Sequence, residues 1–310
     1  MKGVRGYILA LLSSSTFGTI PLFTLPVLDE GMGVPSVLFY RMFFAASTLG
    51  TFLLFAKVSI RIGRTQVPAL FGVSGLCYAL TSLFLLMSYR YLSSGIATTI
   101  HYLYPVTVAL LMIFFCGERF SGRLMSSMLL SLCGVALLSW TNNGNVSVPG
   151  LLWVLASVVT YAVYIVSLNR QAFRPVDSRV LTFYVLFFSA LLFAANALLS
   201  GGIEPIRDWR TGFNLFMLGF VCTVVSNLTL VLAVKSIGAT LSAVLGTMEP
   251  LTAVFIGVLY FQEPFSWRLA AGVALVLAAV LLVILRDRKA VDPVPETAGS
   301  KVLVRSARKK

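Results

Sequence analysis

Three ionisable side chains fall well inside apolar stretches of this chain: Arg41, His101 and Glu249. An unpaired charge at the centre of a membrane helix costs about 2.5–3.5 kcal/mol on insertion scales, so Arg41 and Glu249 are each expected to find a partner or water. Glu249 directly precedes Pro250, which removes one helix hydrogen bond and frees the Gly246 carbonyl. A kink beside a carboxylate suits a cation or an amine, and protonation of Glu249 would then offer a route to proton coupling. The alternative is a protonated carboxyl bonded to a neighbouring helix, because burial favours the neutral form.

Arg41 stands about 10 Å from the start of its apolar stretch, at 1.5 Å of rise per residue. It either attracts an anion or gates, or it snorkels to the interface as an anchor. His101 lies four residues before Pro105 and shares a helix face with Tyr104, with Thr98 one turn earlier. A site and a satisfied packing histidine are the two readings. Pro105 and Pro250 are read as hinges that shape a cavity rather than as contact residues.

Three polar stripes have helical spacing: Ser74, Tyr78, Thr81 and Ser82; Ser157, Thr160, Tyr161 and Tyr164; and Thr223, Ser226 and Asn227. Small hydroxyl residues singly are common glue between membrane helices. Together with tyrosines they suit a cavity for a small amphipathic solute. The candidate substrate-binding or gating set is therefore Glu249, Arg41, His101, Tyr104, Tyr78, Ser82, Tyr161, Tyr164 and Asn227, with Pro105 and Pro250 as hinges.

Other chemistry finds little to build on. The sequence has no HExxH, GxSxG or P-loop motif and no acidic pair to hold a catalytic metal. Cys77, Cys116, Cys133 and Cys222 lack CxxC spacing and, with a single histidine, predict packing residues rather than metal ligands or disulfides. No cofactor is expected.

The elements that must position these residues are membrane helices. Of 310 residues, 58% are hydrophobic and 11% charged, and the mean hydropathy is +0.92, well beyond a soluble domain. Apolar runs of about 20 residues recur, each long enough to cross a hydrocarbon core of roughly 30 Å. Ten segments are predicted, near residues 6–27, 34–56, 68–90, 95–116, 121–140, 149–168, 180–200, 213–234, 237–261 and 266–285. Lys2 and Arg5 ahead of Tyr7 to Leu12 look like a signal peptide, but no polar mature domain follows, so this stretch is read as the first segment.

The net charge of +13 does not predict nucleic-acid binding, because Lys and Arg fall between apolar runs and in the tail. They set topology instead. With the N-terminus inside, 19 Lys and Arg lie in cytoplasmic segments and four, Arg90, Arg207, Arg210 and Arg268, lie outside. Both termini are thus predicted cytoplasmic. The basic tail at 286–310 is expected to be disordered and to rest on anionic lipid.

Sliding the chain on itself by 145 residues aligns Cys77 with Cys222, Pro105 with Pro250, Thr107 with Thr252, Glu118 with Glu263, Phe120 and Ser121 with Phe265 and Ser266, and Arg123 with Arg268. The chain therefore divides into a first five-helix repeat (1–140), a second (141–285) and the tail. Five is odd, so the second repeat must enter the membrane from the opposite side. An all-α membrane protein of ten transmembrane helices, built as two inverted repeats, is the predicted fold.

These features resemble the drug/metabolite transporter superfamily, specifically its EamA-type members. The resemblance rests on the doubled unit, the proline in the fourth helix of each half, and the turns Gly117-Glu118-Arg119-Phe120-Ser121 and Gln262-Glu263-Pro264-Phe265-Ser266. It implies a multi-pass carrier of the bacterial inner membrane that exports or exchanges amino acids, related metabolites or xenobiotics, with membrane lipid and a small-molecule substrate as partners. Glu118 and Glu263, with Ser121 and Ser266 as N-caps, are read as structural. A passive channel or lipid-handling protein is the alternative function, and an intramembrane enzyme a more distant one.

Overall fold

The computed structural model of the chain describes residues 2–64, 66–88, 90–92, 97, 100–117, 122–138, 147–169, 173, 176–260 and 267–290. Its elements are helices, as expected where backbone polar groups must be satisfied within each apolar stretch. Among the described residues, seven helical stretches are long and apolar enough to cross a membrane. Three shorter apolar helices, Tyr104–Cys116, Met125–Leu137 and Ala270–Leu282, occupy the fourth, fifth and tenth predicted segments.

Several segments are not single α-helices. The first consists of Lys2–Phe17 and Ile20–Asp29, and the ninth of Ala239–Leu245 and Met248–Leu259. The third runs Gln66–Ala69, then π-helical Leu70–Leu76, then Cys77–Ser88. The eighth runs Trp209–Gly219, then π-helical Phe220–Val225, then Ser226–Ile237. The third segment of each half thus contains a π-helical turn, although the second lies a few residues later than the 145-residue register would place it, and such turns often mark functional sites.

The remaining segments are Val34–Phe55, Gly122–Leu138, Val148–Leu168, Ser178–Leu199 and Trp267–Ala290. The last runs on to Ala290, past the predicted start of the tail at 286. A helix that leaves the membrane with its hydrogen bonds already made need not stop where the apolar run stops. The tail beyond Ala290 and the turns holding Glu118, Ser121, Glu263 and Ser266 lie outside the described residues.

Packing follows the repeat. Lys2–Phe17 lies on Ser226–Ile237, as Val148–Leu168 lies on Cys77–Ser88. Val34–Phe55 pairs with Ser178–Leu199, and Gly122–Leu138 with Trp267–Ala290. Exchanging the halves leaves this pattern unchanged. Close approach is secured by corresponding glycines: a Cβ at Gly6 would meet Ile237 and Ser236, and one at Gly150 would meet Leu92 and Tyr91, the partners being 145 residues apart and the glycines 144.

Two hydrogen bonds repeat at an offset of 144 residues. Tyr40 donates to the Glu204 carbonyl at 2.8 Å and Tyr184 to the Ile60 carbonyl at 2.9 Å. The first is reinforced: the Glu204 amide donates to Ser36 Oγ at 3.0 Å, and the Gly33 amide to Glu204 Oε1 at 2.9 Å. Outward surfaces carry large apolar side chains, among them Phe55, Phe114, Leu199 and Trp209. Lipid is the medium that such a surface fits.

Candidate functional site

The polar residues converge where the breaks in segments one, four and nine come together. Tyr104 begins the helix Tyr104–Cys116, and Pro105 stands in its first turn. Glu249 and Pro250 stand in the first turn of Met248–Leu259. The prolines thus occupy positions where the missing N–H is not needed, and the chain breaks ahead of them rather than kinking at them. The Gly246 carbonyl, expected to be free, accepts from the Glu249 amide at 3.0 Å.

Two glycines admit this geometry. A Cβ at Gly246 would overlap the Tyr104 hydroxyl, and one at Gly18 would overlap the Glu249 carbonyl oxygen. Glycine at 18 therefore lets the break in segment one close against the break in segment nine. The Glu249 carboxyl, at a helix N-terminus that favours negative charge, faces the Tyr102 hydroxyl and lies close enough to Arg41 for that charge to act on it.

Arg41 is buried, 8% exposed. Its Nε donates to Thr223 Oγ1 at 2.8 Å, and that hydroxyl donates to the Leu218 carbonyl at 2.8 Å, five residues back along the π-helical turn. Gly219 allows the approach, since a Cβ there would meet Phe44 Cβ at 2.8 Å and the Arg41 carbonyl oxygen at 3.0 Å. Among the described residues no ion pair joins Arg41 to Glu249.

Asn227, fully buried, is a hub. Its Nδ2 donates to the Tyr78 hydroxyl at 2.8 Å and to the Thr223 carbonyl at 2.9 Å, while its Oδ1 accepts from the Tyr164 hydroxyl at 3.0 Å. Segments three, six and eight are tied by one side chain. The Tyr78 and Tyr164 rings are 5.1 Å apart, and Tyr161 continues the row, 4.8 Å from Tyr104 in an edge-on contact.

His101 Nδ1 lies 2.9 Å from Ser157 Oγ, and its ring stands 5.6 Å from Tyr104 and 5.5 Å from Tyr161. Ser82 is not brought to this centre by its hydroxyl, which donates to the Tyr78 carbonyl of its own helix at 3.3 Å. Thr81 instead bonds Thr160 at 2.9 Å across segments three and six.

At the middle lies a cavity of about 10 Å³ lined by Ser13, Ser14, Tyr104, Tyr161, Ser242 and Glu249 among others. That is room for about one water molecule. Sequence reasoning missed Ser13, Ser14, Tyr102 and Ser242, and read Gly246 only for its carbonyl. A signal was present in the run Ser13-Ser14-Ser15-Thr16 closed by Gly18, an unusual density of small polar residues for a membrane segment.

Residues 4–140 and 148–285 each match the model of the EamA-like transporter family. The chain belongs to the EamA-like transporter family. Two uncharacterized transporters of Archaeoglobus fulgidus are similar to it: one is 26% identical over 88% of this chain and 93% of its own length, the other 24% identical over 74% and 83%. The uncharacterized transporter YetK of Bacillus subtilis is 23% identical over 63% of this chain and 60% of its own. A solved crystal structure at 21% identity superposes with a TM-score of 0.78, covering 92% of this chain and 98% of that one, and so shares the fold. As an EamA-like protein, this chain is a multi-pass membrane protein of a transport family.

Proposed function

We propose that this EamA-like protein is a secondary transporter that exports or exchanges small polar or amphipathic solutes, such as amino acids or related metabolites, by alternating access at a central cavity between two inverted five-helix repeats, 1–140 and 141–285. The observation that carries the reading is a buried arginine and a glutamate at one centre with no ion pair between them. A solute bearing an ammonium and a carboxylate offers Glu249 and Arg41 the direct ion-pair contacts that they do not make with each other. Tyr78, Tyr104, Tyr161 and Tyr164 present both ring faces and hydroxyls beside them.

The symmetric packing supports alternating access. With five helices per half and both termini cytoplasmic by the Lys and Arg distribution, the equivalent tyrosine bonds Tyr40 to Glu204 and Tyr184 to Ile60 fall at opposite faces of the cell's inner membrane. A cavity of about 10 Å³ admits no amino acid. Binding of such a solute therefore requires the helices around the cavity to part, and in this reading release of one tyrosine bond opens the centre to one side. The transport role of the family favours a carrier over an intramembrane enzyme.

Counterflow in proteoliposomes tests the reading, using a panel of amino acids and related metabolites. A carrier exchanges labelled for unlabelled solute with saturation, whereas a passive pore gives no trans-stimulation. Glu249→Gln and Arg41→Ala, inserted normally, are expected to abolish exchange or to raise the half-saturating concentration at least tenfold, about 1.4 kcal/mol. Unchanged rate and affinity in both would sink the assignment.

A further inference from the structure

The residues lining the small cavity share a chemical bias that the transporter reading does not use. Ser13 Oγ donates to the Ser226 carbonyl at 2.8 Å, Ser14 Oγ to the Ala10 carbonyl at 2.9 Å, and Ser242 Oγ to the Gly238 carbonyl at 2.8 Å. A serine hydroxyl has one proton and two lone pairs. With each proton committed to a backbone oxygen, what these three serines have left to offer the cavity is lone pairs.

The other lining groups add to the bias. Glu249 contributes carboxylate oxygens, and Ser242, Ala243 and Gly246 bring the C-terminal end of Ala239–Leu245 to the same space. Helix C-termini carry partial negative charge, and broken membrane helices use them to hold cations. Among the described residues, the titratable groups near Glu249 are Tyr78, Tyr102, Tyr104, Tyr161 and Arg41; of these Tyr104 and Tyr161 line the cavity, and Arg41, whose Nε is turned to Thr223, does not. An anion would meet mostly acceptors there.

We infer that this cavity is a subsite for one small cationic group, either a sodium ion or the ammonium group of the transported solute. Ser13, Ser14, Ser242 and Glu249 supply the oxygen ligands. The inference rests on the placement of Glu249 at the transport centre but not on the identity of the cargo. It also gives the break in segment nine a purpose: the break sets a carboxylate and the carbonyl end of a half-helix on one water-sized space.

Thermal unfolding of the full-length protein in detergent, followed by tryptophan fluorescence, tests it. Sodium, methylammonium and N-methyl-D-glucamine chlorides are compared at equal ionic strength. The expected result is a saturable rise in midpoint of about 2 °C or more over N-methyl-D-glucamine for at least one of the first two. A response to sodium identifies a coupling ion, and a response to methylammonium without sodium identifies the amine of the solute.

Glu249→Gln is expected to remove the rise. Ser14→Ala and Ser242→Ala keep the carboxylate and each delete one oxygen, so each should raise the half-saturating concentration about threefold or more. Equal midpoints in all three salts would overturn the inference, as would undiminished binding in both serine variants. Counterflow that persists in N-methyl-D-glucamine medium, alongside equal midpoints, would reject the subsite while leaving the transporter reading intact.

Discussion

Arg41 of the second segment is anchored by Thr223 of the eighth, its Nε donating to Oγ1 at 2.8 Å within the π-helical turn. The arginine is thereby aimed without an acidic partner. Valine at 223 keeps the shape of the side chain and deletes the acceptor, leaving a charged donor short of a partner at a cost of about 1–3 kcal/mol. Thr223→Val should lower the thermal midpoint by about 2 °C or more and slow exchange, while Thr223→Ser should preserve both. A valine variant equal to the parent in both measurements would remove Thr223 from the anchoring role.

Asn227 should behave as a three-helix tie. Asn227→Leu gives up the bonds to Tyr78 and Tyr164 together. Hydrogen bonds between membrane helices average about 0.6 kcal/mol with a maximum near 1.7, so a loss of about 1–3 kcal/mol is expected. A double-mutant cycle with Tyr164→Phe should yield a coupling of about 0.5–1.5 kcal/mol. Strict additivity would mean that the bond to Tyr164 contributes nothing.

Gly246 and Tyr104 should show mutual rescue. Alanine at 246 places a Cβ on the Tyr104 hydroxyl and 2.8 Å from the Ala243 carbonyl oxygen. Gly246→Ala should therefore impair exchange and stability, by about 1–3 kcal/mol as for overpacking elsewhere. Adding Tyr104→Phe removes the first clash and should restore part of the loss, as read by thermal midpoint and initial exchange rate. A double variant no better than the single would place the strain elsewhere.

Asp208 gives a test outside the membrane. Its carboxylate accepts from the Thr211 amide at 2.9 Å, capping the helix that begins at Trp209. That backbone bond, with the Thr211 hydroxyl, holds its pKa below the ordinary carboxylate value. A lowered folded-state pKa contributes stability above the unfolded value that is lost as pH falls through the folded one. Asp208→Ala should lower the midpoint at pH 7, and the gap to the parent should close as pH falls below about 3.9. A gap independent of pH would show that the ionised cap is not its source.

Tyr40 and Tyr184 should act on opposite faces. In a chain with its native cysteines replaced and Ser14→Cys introduced, Tyr40→Phe should raise labelling by an impermeant thiol reagent from outside the cell, and Tyr184→Phe from the cytoplasmic side of inverted vesicles. Both variants responding on one side would contradict the inverted arrangement.

Much of this architecture was legible in the sequence, because hydropathy sums over some twenty residues at a time and needs no knowledge of neighbours. The 145-residue register read from Pro105 and Pro250 returns in three dimensions, to within one residue, as Gly6 against Ile237 and Gly150 against Leu92. Glu249, Tyr104 and Tyr161 were legible as polar side chains in apolar stretches, which membrane burial makes conspicuous. Ser13, Ser14 and Tyr102 were not, since serines and tyrosines are ordinary in membrane helices and nothing local says what they face.

The amino-acid sequence on its own determined that this is a doubled, all-helical membrane chain with few intramembrane charges, because the cost of placing polar groups in lipid acts on each segment separately. Tertiary structure alone decided where the helices break and that Ser13 meets Ser226, that Asn227 joins Tyr78 to Tyr164, and that Glu249 shares a water-sized cavity with three committed serines. Those meetings depend on how helices cross, which the glycines at 18, 219 and 246 permit only once their distant partners are in place.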